Sequence, residues 1–399
     1  MKILLLTPFI PYPPKAANKV RAFSWLRYLS RKYEISLVSF IEREEQKEYL
    51  NELGNYCAQI LTVIRKPKSG FLYRPINLFQ RFPYFMVEHF KSIDMQETIR
   101  RLLQKNKFDL VHVSTLAMAQ YAGDIKGTAK ILDAIDCHTR NYLQQWQFPT
   151  GLKNRILSFI DWFKMRGYEL KTHSKFNKTI LANPMDKEFM LRLCPRLNIE
   201  VIPYGVDLEY FSPQQKEEEF PSLIFTGLMG YPPNNDAMVN FCSRTLPLIE
   251  EEYAGIKLYI VGGNVSLKLK KIAGIKKNII LTDFQEDIRP FMSKATIFIC
   301  PLRLGTGVKT KVLEAMAMAK SIVSSSISVE GINAVSEKDI LIADRPEEFA
   351  NAVIRLLKNK DLRDNLGMSA RKAVENAHHW QTLAIELDKA YQEVLSEKR

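Results

Sequence analysis

A chain of 399 residues, 46% hydrophobic and 25% charged, is long enough for two domains and too ordinary in composition for a disordered or fibrous class. No apolar run approaches the ~20 residues that span a bilayer. The charge is lopsided: residues 1–200 carry 32 Lys and Arg against 18 Asp and Glu, so the excess of the whole chain, +13, sits in its first half. A basic half of this kind favours an anionic partner: lipid headgroups, a phosphorylated acceptor or nucleic acid. No helix-turn-helix, finger or RNA-binding signature is present, so nucleic acid ranks last. Five scattered cysteines (Cys57, Cys137, Cys194, Cys242, Cys300) form no CxxC and no zinc spacing. That usage fits a reduced, cytoplasmic protein, and no metal site is expected.

The first apolar run, Lys2 to Ile10, leads into Pro-Tyr-Pro-Pro and not a small-residue cleavage site, so it is expected to be a strand and not a signal peptide. A loop at Tyr12–Asn18 and a helix at Val20–Ser30 follow, then a strand at Ile35–Phe40. The pattern predicts a charged helix at 42–53, strands at Ile60–Ile64 and Leu110–Val113 with a helix around 92–106 between them, and a short helix at Ala117–Tyr121. Further on come a strand at Lys130–Ala134, a long amphipathic helix from Lys153 to His173, and strands at Thr179–Ala182 and Glu200–Ile202. Continuous apolar strands alternating with helices imply a parallel sheet covered on both faces. Residues 65–91 interleave aromatic and basic side chains with few acids. They suit either a membrane-surface or lipid-acceptor contact, or an excursion that caps the sheet.

A second run of strand–helix units begins at Leu223. It predicts a helix at Asp236–Leu248, strands at Lys257–Val261 and Ile279–Thr282, a helix at Ile288–Ser293 and a buried strand at Ala295–Cys300. A two-glycine loop and a helix from about Lys309 follow, then strands at Ser321–Ser324 and Ile340–Ile342. Helices fill 346–358, 360–376 and Trp380–Glu397. The chain thus reads as two doubly wound α/β units in tandem, joined near Val201–Pro213, with ligands expected at the carboxyl ends of the strands. The segment Pro301–Lys320 has the layout of a phosphate cradle. Gly305 and Gly307 let backbone approach an anion, free N–H groups at the helix start point at it, and Lys309 and Lys311 add charge. Glu314, one to two turns in, can accept hydrogen bonds from a ribose diol.

Pro203-Tyr-Gly-Val-Asp-Leu-Glu-Tyr-Phe-Ser-Pro213 resembles the hinge of retaining GT-B glycosyltransferases of family four. Phe225–Ala237 resembles their first C-terminal βα loop, Ile260–Gly263 the next strand end, and Asp283–Phe291 the loop before the signature helix. Pro301–Lys320 is similar to the Gly-x-Gly-x-Lys-x-Lys-x-Leu-Glu-Ala-Met-Ala variant found in sugar transferases of exopolysaccharide clusters. The resemblance runs the length of the chain. It implies an α/β GT-B fold, two Rossmann-like domains facing each other across a cleft. The boundaries would be 1–203 for the acceptor side, 204–378 for the nucleotide-sugar side, and 379–399 for a helix packing back on the first domain. It also implies transfer of a sugar from a UDP- or GDP-sugar with retention and no cofactor. The basic, aromatic first half points to a membrane-held acceptor, a glycan or polyprenyl-linked intermediate met at the inner face of a membrane.

Carried over residue by residue, Glu314 would hold ribose, and Lys309 and Lys311 the diphosphate, with Lys311 favoured if only one reaches. Gly227 and the backbone of Gly305, Thr306 and Gly307 would approach the donor. Ala17 and Asn18 stand where relatives place Gly-Gly beside the phosphates. Asp136 and His138 would steer the acceptor hydroxyl or touch the donor sugar. His112, Ser114 and Arg21 are weaker candidates, the last as a phosphate-orienting cation. Gly205 would need a positive φ at the hinge. Three departures stand out. Thr306 replaces the first of two family glutamates. Met229 and Asn234 replace the Arg and Lys of the Phe225 loop, so Arg303 or the two lysines must supply charge. Tyr204 replaces the hinge asparagine. The alternatives are a nucleotide-sugar 2-epimerase, which needs no acceptor, and a non-catalytic GT-B subunit of a polysaccharide assembly complex. A Rossmann oxidoreductase is disfavoured, because no Gly-x-Gly-x-x-Gly follows the first strand.

Overall fold

The computed structural model describes residues 1–65, 83, 87–147, 152–214 and 217–397. Most of the aromatic, basic stretch 65–91 lies outside them. The chain divides into two compact units, Met1–Pro203 with Gln381–Arg399, and Tyr204–Trp380.

The first unit contains β1 (Lys2–Thr7), α1 (Ala17–Leu29), β2 (Glu34–Ile41), α2 (Leu50–Leu53), β3 (Gln59–Ile64), α3 (Ile93–Lys105), β4 (Leu110–Ser114), β5 (Ala129–Ile135), α4 (His138–Gln147), α5 (Leu152–His173), β6 (Lys178–Leu181), α6 (Pro184–Leu193) and β7 (Ile199–Val201). Its strands form one parallel sheet in the order β3-β2-β1-β4-β5-β6-β7. β4, β5 and β6 are buried along their whole length, including the polar His112, Lys130, Asp133 and Lys178 among their apolar residues. The expected helix at 42–53 is instead a 3₁₀ segment, Glu44–Tyr49, followed by the single turn α2. No residue of 44–49 is buried, so no packed stripe holds a longer α-helix there. The segment Leu116–Tyr121 is likewise 3₁₀, entered through Thr115 at φ 71°.

The second unit contains β8 (Glu219–Thr226), α7 (Pro232–Asn240), α8 (Leu246–Glu250), β9 (Lys257–Val261), α9 (Leu267–Ile275), β10 (Ile279–Thr282), α10 (Arg289–Lys294), β11 (Ala295–Cys300), α11 (Thr310–Ala317), β12 (Ser321–Ser324), β13 (Leu341–Ile342), α12 (Pro346–Lys358) and α13 (Lys360–Ala377). A parallel sheet orders them β10-β9-β8-β11-β12-β13. The last helix, α14 (Trp380–Ser396), contributes Gln381 onward to the first unit, where Tyr391 is buried and bonded to His112 and Asp388 is paired with Lys32.

The hinge glycine has a different reason from the one expected. Gly205 does not lie in the left-handed region; a Cβ there would sit 2.4 Å from the Trp380 indole, so the glycine makes room for that ring. The neighbouring histidine is structural too. His378 Nδ1 bonds the Tyr204 carbonyl at 2.6 Å and its Nε2 accepts the Asn333 N–H at 3.0 Å, which fixes a neutral imidazole.

Candidate functional site

In the second unit the sheet order reverses between β8 and β11, which are hydrogen-bonded neighbours, so the loops leaving both carboxyl ends start side by side. Two glycines set the geometry of the first. Gly227 (φ 145°) donates its N–H to the Val261 carbonyl at 2.9 Å, and a Cβ on it would fall 2.4 Å from Lys311 Nζ. Gly262 (φ 145°) packs so closely that a Cβ there would lie 2.1 Å from the Gly227 carbonyl oxygen. Only glycine supplies this backbone-on-backbone approach.

Lys311 lies in the first turn of α11. Its ammonium donates to Asn234 Oδ1 at 2.8 Å and lies 4.1 Å from the centroid of the Phe225 ring. Asn234 is held in turn by donating its Nδ2 to the Leu228 carbonyl at 2.9 Å. The amine is thus aimed by a neutral amide and an aromatic face. Burial lowers its pKa to about 8, against the opposing charges of Cys300 and Glu314. Glu314, three residues on and on the same face of α11, is raised to about 7 by burial, with Lys311 pulling it back down.

The loop between β11 and α11 turns through Gly305 (φ 109°) and Gly307 (φ 78°). Lys309 folds its ammonium back onto the carbonyls of Gly305, Thr306 and Gly307 at 3.3, 3.0 and 2.5 Å. Across a trans peptide the next N–H points the opposite way, so the N–H groups of Thr306, Gly307 and Val308 face away from that cation. Successive backbone N–H groups turned to one side of a loop suit an anion. Behind it, Ser325 Oγ donates to the Leu302 carbonyl at 2.6 Å and Ser328 Oγ to the Cys300 carbonyl at 2.9 Å, fixing the end of β11.

In the first unit the order reverses between β1 and β4. Here the polar groups are neutralised from within. Arg21, 1% exposed, pairs with Asp133 at 2.8 Å and donates to the carbonyls of Ile202 and Pro203 at 3.0 and 2.9 Å. Trp25 Nε1 also donates to Asp133, at 2.9 Å. Beyond the end of β5, two buried carboxylates hold the loop that opens α4. Glu169 accepts the backbone N–H groups of His138 and Thr139 at 3.0 and 2.8 Å. Asp186 accepts the Cys137 N–H at 3.0 Å and Arg140 Nη1 at 2.9 Å. Burial raises Glu169 to about 7 and lowers the His138 ring to about 4, so that ring is a neutral hydrogen-bonding group near pH 7. Asp136 follows Ile135, itself at φ 71°, and is half-buried beside this loop.

Residues 220–359 match the family described as glycosyl transferases group 1. Over 381 residues the chain is 25% identical to an uncharacterized 44.6 kDa protein in the cps region of Klebsiella pneumoniae, covering 90% of this chain and 91% of that one. Over 292 residues it is 22% identical to the UDP-Gal:alpha-D-GlcNAc-diphosphoundecaprenol alpha-1,3-galactosyltransferase of Escherichia coli, covering 67% and 72%. The fold superposes on the sucrose-phosphate synthase of Thermosynechococcus elongatus with a TM-score of 0.72 at 14% identity, over 100% of both chains. The chain has the GT-B fold, two Rossmann-like units each built on a parallel sheet.

Of the residues expected from the sequence, the structure gathers Gly227, Gly305, Thr306, Gly307, Lys309, Lys311 and Glu314 at the carboxyl ends of β8 and β11. Arg303 is held by Asp236, which accepts from it twice, at 2.8 and 3.0 Å. Arg21 orients no phosphate: its whole fork is spent inside the first unit. His112 is fully buried, bonded through Nδ1 to Tyr391 OH at 2.6 Å, and desolvation lowers it to about 4. Ser114 is buried at the end of β4. Ala17 is exposed and Asn18 half-buried at the start of α1, where Asn18 Oδ1 accepts the Lys19 N–H at 3.0 Å. Sequence reasoning missed Asn234 as the group that aims Lys311, and it missed Glu169 and Asp186 entirely. The Asn183-Pro184 pair that caps α6 is the one signal that could have placed Asp186 in a first helical turn.

Proposed function

We propose that the transferase moves a sugar from a nucleotide-diphosphate-sugar to a lipid-linked glycan intermediate, with retention of configuration at the anomeric carbon. The observation that carries this reading is the Lys311 ammonium beside Gly227 and above Glu314, next to the inward-turned loop at Gly305–Gly307. In it, Lys311 and the loop N–H groups receive the diphosphate, whose charge grows as the glycosidic bond breaks. Glu314 accepts the ribose hydroxyls. Lys309 keeps the loop carbonyls turned away from the anion, and its charge adds to the local field. The resemblance to an enzyme named for a diphosphoundecaprenol-linked acceptor, and to a protein of a cps region, supports a polyprenyl-linked acceptor, which the transferase would meet at the cytoplasmic face of a membrane.

Asp136 and His138 steer the acceptor hydroxyl in this reading, with His138 uncharged. The departing β-phosphate takes the acceptor proton, which places the new bond on the face the leaving group vacates. Thr306, in place of a glutamate, leaves the choice of sugar to other contacts. The charge is met by lysine and backbone without a divalent ion, so activity is expected to persist in EDTA. The test is a transfer assay with UDP- and GDP-sugars and a polyprenyl-diphosphate-sugar acceptor, with the anomeric configuration read by NMR. Transfer with retention supports the reading. Inversion, or isomerised donor formed without acceptor, overturns it.

A further inference from the structure

The basic, aromatic stretch 65–91 drew attention in the sequence, but the described residues carry an amphipathic surface elsewhere in the first unit. On α5, Ile156, Phe159 and Phe163 are 56%, 43% and 65% exposed. Their spacing of three and then four residues puts them on one face of the helix. Beside them Trp162 stacks on Trp146 of α4, with ring centroids 6.1 Å apart and planes 16° from parallel, and Phe159 lies 5.4 Å from Trp146. Arg155 and Arg166 stand eleven residues apart, three turns, along one flank of this stripe; Arg166 covers Trp162 at 5.9 Å. Lys164 lies on the opposite flank. Asp161 is the only acid from 155 to 168, against Arg155, Lys164 and Arg166. The other side of the helix faces the protein, with Met165, Glu169 and His173 buried.

A single exposed phenylalanine needs no explanation; three large apolar side chains in a row, next to stacked tryptophans and between cations, do. The same unit holds the whole positive excess of the chain. Among the described residues no helix is long and apolar enough to cross a membrane. We propose that this face of α5, with Trp146 of α4 beside it, is a docking surface for an anionic lipid bilayer. Ile156, Phe159 and Phe163 enter the headgroup boundary, the indoles sit at its level, and Arg155, Lys164 and Arg166 meet lipid phosphates. The choice of a bilayer over a second copy of the chain rests on charge: two copies of this face would oppose like cations, whereas an anionic surface complements them. The proposal rests on the reading of a membrane-held acceptor given above, and it names the surface by which the enzyme reaches it.

The test is sedimentation of the full chain with phosphatidylcholine vesicles and with vesicles containing phosphatidylglycerol, read together with intrinsic tryptophan fluorescence. Trp25 and Trp380 are only 2% and 3% exposed, so a blue shift on vesicle addition reports on Trp146 and Trp162. Wild type is expected to bind the anionic vesicles with a blue shift and to release them as salt rises. The triple variant Ile156→Ser/Phe159→Ser/Phe163→Ser should bind about tenfold more weakly or less, and Arg155→Gln/Arg166→Gln should weaken binding to anionic vesicles alone. Ile275→Ser, an exposed apolar residue of the second unit, should bind like wild type. Equal binding by wild type and the triple variant overturns the proposal. So does a wild-type failure to bind, or a wild-type dimer in solution that the triple variant abolishes. Nucleotide binding measured without vesicles separates the two ideas: its loss would sink the transferase reading and leave the surface standing, and intact nucleotide binding without vesicle binding would do the reverse.

Discussion

The two units share a parallel-sheet plan but treat charge at the carboxyl ends of their strands in opposite ways. In the first, three polar groups near the strand ends are answered by carboxylates of the same unit: Arg21 by Asp133, Arg140 by Asp186, and the first N–H groups of α4 by Glu169. In the second, Lys311 donates to a neutral amide, and burial has pulled its pKa down to about 8. One end is neutralised from within; the other holds a cation whose burial becomes favourable when an anion arrives. In the proposed function the polar core of the first unit does structural work and the second unit recognises the diphosphate.

The comparison breaks most visibly in stability. Asp133→Ala leaves the Arg21 guanidinium buried without its partner, and urea unfolding of the first unit should show a loss of about 3–5 kcal/mol. Lys311→Met should leave the urea midpoint of the second unit unchanged or raised, because it removes a desolvated amine. The same change should reduce turnover about 10²–10³-fold, the cost of removing one donor aimed at developing charge. A Lys311→Met enzyme that unfolds early yet turns over normally would reverse the roles of the two units. Glu314→Ala follows, with donor affinity weakened by about 1.5–3 kcal/mol in calorimetry, the range for hydrogen bonds to a charged group. Arg303→Gln should change least: its pair with Asp236 is about half exposed, worth at most about 1 kcal/mol, and donor KM should move little.

Much of this was legible in the chain. The strands at Ile279–Thr282, Ala295–Cys300 and Ser321–Ser324 stand where they were expected; the last two are buried along their whole length, and the first is an edge strand marked by its Ile-Ile-Leu run. Gly305 and Gly307 take backbone conformations that favour glycine, and Lys311 and Glu314 lie together on α11, an arrangement the residue types of Pro301–Lys320 made legible. The helices α4, α6 and α9 were not marked, and the reason is burial. In α4 only Thr139 is buried, and in α9 only Leu269, so neither carries an apolar period. The partners of Arg21 and of the α4 start were hidden for another reason. Asp133 lies 112 residues from Arg21 and Glu169 31 from His138, and such pairings follow from topology and not from spacing. Gly205 shows the converse: the glycine was noticed, but its cause, the ring of Trp380, lies far along the chain.

The central claim is that Lys311 meets the donor diphosphate, and proton linkage tests it directly. Because the folded pKa of about 8 is below that of a free lysine, a bound diphosphate must raise it, and near pH 8 binding must take up protons. Affinity must therefore fall as pH rises through 8. Calorimetric titration of UDP and of GDP at that pH, in two buffers of different ionisation enthalpy, should show proton uptake with at least one nucleotide in wild type. It should show weaker binding without uptake in Lys311→Met. Equal affinity and equal uptake in the two proteins would contradict the assignment of Lys311.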